Sequence, residues 1–393
     1  MHGMPLSDDH RPLRGVRIVD LSWLLPGPLF TGMLSDLGAD VVKIERPGDG
    51  DYARQLLPGM FRLVNRGKRS AVLDLRLEAD REVLLDLAAT ADVFVEGFRP
   101  GVVDRLGVGY EEICKRNESI LYVSLTGYGQ DGPAAGQPGH DVNYCGHAGL
   151  LRIPSRHAQT GASRMQLPIS DIAGAMYAAV STLAALRHRD ATGRGTRLDV
   201  SLADCALAWS AIRWADAPDS DAASWKHISP LNDIFIAADG VHLAVALVEE
   251  QFRDAFRNAL EPHVRIALDE AAQDPDRLQQ YAAGLFRTKS SAAWLDLAQT
   301  HDLPITRIAG TLSEMMENPV YEGRGIWPEP EGDERATISL PAFPIRFNDS
   351  TQATQAPAFG ADSQAARAGW DALFADRATG LERQGNGKNG RGA

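Results

Sequence analysis

Three side chains in this 393-residue chain have the type and setting for proton or acyl chemistry. His140 stands in Gly139-His140-Asp141-Val142-Asn143-Tyr144, just after the Gly/Pro-rich stretch 127–139. An imidazole there can exchange protons near neutrality, because its unperturbed pKa is about 6.5. The plainer alternative is a hydrogen-bonded structural histidine, with Asp141 capping the helix that follows. Asp171, in Leu167-Pro168-Ile169-Ser170-Asp171, sets a carboxylate at the mouth of an apolar helix, and its plainer reading is an N-cap. Apolar surroundings raise such a pKa while helix N–H groups and the macrodipole lower it, and both outcomes stay open. Glu249, in Leu247-Val248-Glu249-Glu250, lies at a turn between a strand and a helix, where two adjacent glutamates ordinarily form a first-turn charge pattern.

A second set is basic. Lys43 and Arg46, then Arg66, Lys68, Arg69 and Arg76, then Arg99 and Arg105 gather near the ends of predicted strands in a chain of net charge −12. Parallel strands converge on one edge, where such side chains can receive phosphates, so an anionic ligand is expected. The alternative is a set of solvated strand-end charges.

Other chemistries lack support. The sequence has no G-x-x-x-x-G-K-[ST], no G-x-S-x-G and no H-E-x-x-H. The G-x-G-x-x-G spacing occurs at Gly127-Gly129-Gly132 and Gly385-Gly387-Gly390, but neither run opens a helix. Cys114, Cys145 and Cys205 match neither a zinc site nor a disulfide framework, so no metal is expected and a reducing compartment is. The acidic balance argues against nucleic acid as a partner. The first fourteen residues are polar, and no window reads as the roughly 18 apolar residues of a membrane span, so a cytoplasmic protein without membrane attachment is expected.

The elements that must position these groups follow from periodicity. With 44% hydrophobic and 23% charged residues the chain is a folded globular one, and its length calls for two domains. Apolar runs at 16–21, 40–44, 71–75, 92–96, 120–125 and 196–200 read as strands. Segments 29–37, 78–91, 110–116, 171–187 and 202–211 read as helices between or after them. That alternation predicts an α/β fold with a parallel sheet over 1–215. A linker and a smaller α+β domain follow at 216–325, with strands near 234–237 and 241–247 and helices near 250–260 and 291–299. The Gly-rich end, 380–393, reads as a disordered tail.

Eight blocks carry a resemblance: PLRGVRIVDLSWLLPGP, LGADVVKIERPGDGD, NRGKRSAVLDLR, ADVFVEGFRPGVVDRLGVGYE, LTGYGQDGP, GHDVNY, SDIAGAMYAAVSTLAALRHR and TGRGTRLDVSLAD. In this order they resemble the family III CoA-transferases, which include formyl-CoA transferases, carnitine CoA-transferases and 2-methylacyl-CoA racemases, over about residues 11–375. The resemblance implies a Rossmann-like large domain completed by a returning segment at 326–379, in an interlocked homodimer whose active sites are shared between subunits. It implies an acyl-CoA substrate, with coenzyme A entering as part of that substrate and no permanently bound cofactor. Arg46, Leu73, Arg76, Phe98, Arg99 and Arg105 match family contacts to CoA, and Gly97 stands where some transferases have Asn. Asp171 matches the carboxylate that serves transferases as nucleophile and racemases as acid/base. GHDVNY at His140 and the segment around Glu249 look like the racemase branch, in which the Glu pairs with the histidine. His147 and the segment 214–232 depart from that branch.

The resemblance therefore implies a 1,1-proton transfer α to a thioester. His140 and Asp171 would stand on opposite faces of the carbon, and first-turn N–H groups at Asp171 would hold the enolate oxygen. The alternative is CoA transfer through an acylated or CoA-bound Asp171; a third reading is a CoA-binding protein without catalysis.

Overall fold

The computed structural model describes residues 11–151, 167–215, 229–327, 341–345 and 355–376; the expected tail at 380–393 and the linker over 216–228 lie outside them. The chain forms two compact units, Met1–Ser210 with Gly323–Ala393, and Ala211–Glu322.

The first unit is built on six strands: β1 (Arg17–Asp20), β2 (Asp40–Glu45), β3 (Arg69–Val72), β4 (Val93–Glu96), β5 (Leu121–Thr126) and β6 (Thr196–Ser201). They lie in the order β3-β2-β1-β4-β5-β6, with every pairing parallel, which is the α/β class expected. Strands covered on both faces must be apolar throughout, and Ile18, Val19, Val41, Val42, Phe94 and Val123 are indeed wholly buried. Strand order reverses between β1 and β4, so the loops leaving them diverge and open a crevice at the carboxyl edge.

Helices α1 (Pro26–Asp36), α2 (Ala53–Leu56), α3 (Pro58–Val64), α4 (Glu78–Ala89), α5 (Val102–Arg105), α6 (Tyr110–Arg116), α7 (Asp141–His147), α8 (Ile169–Thr192) and α9 (Leu202–Trp214) complete the alternation. One strand and one helix of this unit correct the sequence reading. Strand β3 ends at Val72 rather than 75, because the Asp74 N–H turns to the Asp80 carboxylate (2.8 Å) and the Asp74 carboxylate takes the Arg76 N–H. Helix α8 runs five residues beyond 187, and its length and composition would suffice to cross a membrane, contrary to the expectation that no window does so. Within this unit it behaves as a core helix: Ala175, Ala178 and Leu186 pack in a cluster with Phe30, Leu34 and Val123.

The carboxyl edge is braced by buried charge. Lys68, wholly buried, pairs with Asp20 (3.1 Å) and also donates to Pro28 O, Thr31 Oγ1 and Asn65 Oδ1. Lys43 pairs with Asp51 (2.9 Å) and donates to Ser22 O, and Glu45 takes a two-pronged bond from Arg54. Burial is the largest influence on Asp20, yet Lys68, Lys43 and two hydroxyls outweigh it and hold its carboxyl at about 2. These bonds fix the β1–α1 loop, where Leu24 takes a left-handed backbone (φ 61°) that costs an ordinary residue about 1–2 kcal/mol. Its N–H is held by Asp51 Oδ1 at 3.1 Å.

The open edge of β3 is covered by the returning C-terminal segment. Ser70 N–H donates to Asp362 and Val72 N–H to Ser363 Oγ, both at 2.9 Å. Trp370, Leu373 and Phe374 then enter the core cluster of Leu84 and Phe94, with Trp370 Nε1 donating to Leu87 O. Covering the edge in this way removes a template for unwanted pairing.

The second unit has a three-stranded antiparallel sheet, β7 (Asn232–Ile236), β8 (His242–Ala246) and β9 (Ile305–Arg307), in the order β7-β8-β9. Helices α10 (Glu250–Ala259), α11 (Pro262–Ala271), α12 (Pro275–Phe286), α13 (Ser291–His301) and α14 (Leu312–Met316) accompany it. Phe256, Phe286 and Trp294 form its centre. Strand β9 and helices α11 and α12 were not anticipated, although both helices carry Pro in their first turn, a start signal present in the sequence.

Candidate active site

The loops at the crevice bring four of the expected contact residues around one pocket of about 480 Å³: Arg46, Leu73, Arg76 and Phe98, with Trp23. Arg46 leaves β2 and lays its guanidinium against two rings, 5.0 Å from the Trp23 centroid and 4.8 Å from that of Tyr52. Trp23 in turn meets Tyr52 edge-on at 5.1 Å and Phe98 at 5.7 Å. A cation held over ring faces keeps its charge while its N–H groups stay directed, so Arg46 is pre-set for an anion. Phe98 is anchored from behind, its N–H donating to the buried Glu96 carboxylate at 2.9 Å. Arg76 lines the pocket with its side chain 79% exposed and is forked onto Asp74 at 2.7 Å.

The remaining expected residues sit beside this pocket. Arg99 and Arg105 are exposed, Arg99 in the loop after β4 and Arg105 at the end of α5, and neither lines the pocket. Gly97 is exposed, and a Cβ there would meet nothing nearer than Leu125 O at 3.5 Å, so the backbone does not demand glycine. The wider basic set is corrected: Lys43 and Lys68 are buried braces, Arg66 pairs with Asp36 (2.7 Å) and Arg69 with Asp376 (2.6 Å). Those four are neither phosphate contacts nor solvated strand-end charges but paired, mostly buried groups.

A second locality joins α7 to α8. His140 is the N-cap of α7, exposed, with its N–H donating to Asn143 Oδ1 at 3.0 Å. The next residue, Asp141, is not the expected cap but the first residue of α7, and its Oδ1 accepts from Ser170 N–H (2.8 Å) and Ser170 Oγ–H (2.6 Å). Since His140 precedes Asp141 and Asp171 follows Ser170, this bonded pair holds the two candidate residues in one locality. Sequence reading missed this role of Asp141; its signal was a carboxylate directly beside the histidine.

Asp171 is in the third position of α8, with Pro168 as the N-cap, so it is not the cap residue its plainer reading made it. Burial first, and the Asp141 carboxylate second, push its carboxyl up to about 7. The same environment acts on Tyr144, whose hydroxyl is pushed up to about 12 by burial and then by Asp171. Gly127 and Gly139 make room for that ring, because a Cβ would fall 2.3 Å and 2.6 Å from its atoms. Tyr128 meets Tyr144 edge-on at 5.1 Å and His147 at 5.7 Å. The expectation that first-turn N–H groups hold an enolate oxygen is cut back. The Ser170 N–H is taken by Asp141 and that of Ile172 by Pro168 O.

Glu249 belongs to the second unit, where it is the exposed N-cap of α10; the first-turn position falls to Glu250.

The described residues thus offer a raised carboxyl in the same locality as an exposed histidine, and an arginine set on aromatic rings at the sheet's carboxyl edge. An acetyl-CoA:oxalate CoA-transferase of Acetobacter aceti is 33% identical over 321 residues, covering 75% of this chain and 80% of that one. The human alpha-methylacyl-CoA racemase is 29% identical over 325 residues, covering 80% and 81%. The crystal structure of a CaiB/BaiF family protein from Brucella suis superposes with a TM-score of 0.75 at 28% identity, covering 91% of this chain and 99% of that one. The sequence pattern of CoA-transferase family III matches residues 13–363, and the chain belongs to that family.

Proposed function

We propose that the protein interconverts the (R) and (S) forms of a 2-methylacyl-CoA thioester by 1,1-proton transfer. The observation that carries this reading is the Asp171 carboxyl, raised to about 7, in the locality of His140. A carboxyl with that pKa is shared between its acid and base forms at neutrality, which is what a group that both gives and takes a proton requires. In one direction His140 removes the α-proton, the C–H electron pair delocalises into the thioester carbonyl as an enolate, and Asp171 returns a proton to the opposite face. In the reverse direction the roles exchange. Arg46, Phe98 and Leu73 would seat the CoA moiety, with Arg76, Arg99 and Arg105 available to its phosphates. Glu249 would orient or charge-stabilise His140 in a homodimer with shared sites, a state supported by α8, which leaves Met176 44% and Val180 61% exposed.

A second reading is favoured by identity, since the oxalate CoA-transferase is the nearer in sequence of the two relatives above. Here Asp171 attacks the thioester carbonyl, the C–S bond breaks and CoA leaves as thiolate. The thiolate then attacks the Asp171 carbonyl of the resulting anhydride and expels the donor as its carboxylate. An acceptor carboxylate displaces CoA from the Asp171 thioester, and the thiolate attacks the acceptor carbonyl of the second anhydride, freeing Asp171. Polarimetric or chiral-chromatographic assay of enantiopure 2-methylacyl-CoA separates the readings. Inversion in the native protein, lost in both His140→Ala and Asp171→Ala with CoA affinity retained, is the expected outcome. Inversion that survives in both variants contradicts the assignment.

A further inference from the structure

Beside β4 and β5 a second pocket, of about 410 Å³, is lined by Glu96, Asp104, Tyr110, Tyr122, Gln130 and Arg197, and shares no lining residue with the pocket of Arg46. Two further carboxylates, Glu111 and Glu112, line it as well; Glu112 pairs with Lys115, which leaves Glu96, Asp104 and Glu111 with the Arg197 guanidinium. That guanidinium lies over the Tyr110 ring at 5.4 Å and reaches Gln130 Oε1 at 3.5 Å.

An acidic lining alone would signify little. The second observation is Tyr122, 1% exposed, its ring stacked on Phe94 at 5.2 Å and edge-on to Tyr110 at 5.4 Å. Its buried hydroxyl has no hydrogen-bond partner among the described residues. Burial raises its pKa most, and Glu96 and Asp104 raise it further against Arg197, so the hydroxyl lies in electrostatic reach of three of the lining charges. A buried hydroxyl left unpaired is costly, and native structures resolve such cases with a ligand, an ion or water. The Gln130 Nε2 amide is likewise unpaired. Glu96 commits Oε2 to the Phe98 N–H and lines the pocket with Ser124 beside it.

We infer that this pocket binds an organic cation bearing N–H donors, of the alkylguanidinium or alkylammonium class, either a free small molecule or a Lys or Arg side chain of a second copy of the chain. The head group donates to Tyr122 Oη and Glu96, and the alkyl stem lies along Val103 and the Tyr110 ring.

The test is isothermal titration calorimetry of the full-length protein with agmatine and with butylamine, using glutamate as an anionic control. Sedimentation velocity of the same samples reports self-association. Tyr122→Phe keeps the ring and removes only the unpartnered hydroxyl, so it should hold or raise the melting temperature. It should weaken agmatine binding by about tenfold or more, the loss expected for a hydrogen bond to a charged group. Asp104→Asn should weaken it too. If a side chain of a second copy fills the pocket, agmatine will not bind the native assembly, and both variants will instead weaken self-association. Absence of saturable amine binding at millimolar concentrations, together with unchanged self-association in both variants, overturns the proposal. So does amine binding of equal strength in the native protein and both variants.

Discussion

Asp141 decides the behaviour of Asp171 twice over. Its bonds to Ser170 fix the first turn of α8, and its charge is the second cause, after burial, of the raised Asp171 carboxyl. Replacing Asp141 by Asn keeps an acceptor for Ser170 but removes the like charge, so the Asp171 pKa should fall from about 7 toward the usual carboxylate range. The protonated fraction available as acid then shrinks at neutral pH. The alkaline limb of the pH–rate profile should move to lower pH, with kcat reduced more than KM is changed. An unmoved limb in a stopped-assay pH series would show that Asp141 serves only to hold the helix. At this scale the sequence was informative about residue type and weak about role. His140, Asp171 and Arg46 were legible from motif and position, whereas the Arg46 stack on Trp23 and Tyr52 depends on loops that converge only in the fold. Lys43 and Lys68 misled because a buried brace and a phosphate contact have the same letters.

The elements that carry these residues depend on a charged brace at the carboxyl edge. Lys68 is wholly buried against Asp20, and its own pKa is lowered to about 8, burial outweighing the pull of Asp20. Breaking such a pair leaves an uncompensated charge, so Lys68→Met should destabilise the protein by about 3–5 kcal/mol in urea or thermal unfolding. A loss below about 1 kcal/mol would mean the brace contributes little. Because the folded Asp20 carboxyl sits at about 2, below its ordinary value of 3.8, its contribution is present above that ordinary value and disappears as pH falls through the lower one. The parallel strands were legible because strands buried on both faces must be continuous apolar runs. Helices α11 and α12 were not, since their apolar residues are interleaved with charge and short loops separate them. The end of β3 at Val72 was set by side-chain bonds at Asp74 and Asp80 that no periodicity encodes.

For the whole molecule, an α/β sheet completed by residues from both ends of the chain supplies the crevice of Arg46, while Glu249 stands in the other unit. Sharing of sites between subunits requires a dimer, and light scattering at micromolar concentration should return twice the chain mass; a monomer would remove the partner-subunit role for Glu249. The identity of the chemistry is tested most directly by proton NMR of the native protein in D₂O with (2R)-2-methylacyl-CoA, with and without an added free carboxylic acid. Proton transfer between His140 and Asp171 predicts loss of the α-proton signal without any acid present. Retention of that signal, with CoA moving to the acid once it is added, would contradict the racemase account and make Asp171 a nucleophile.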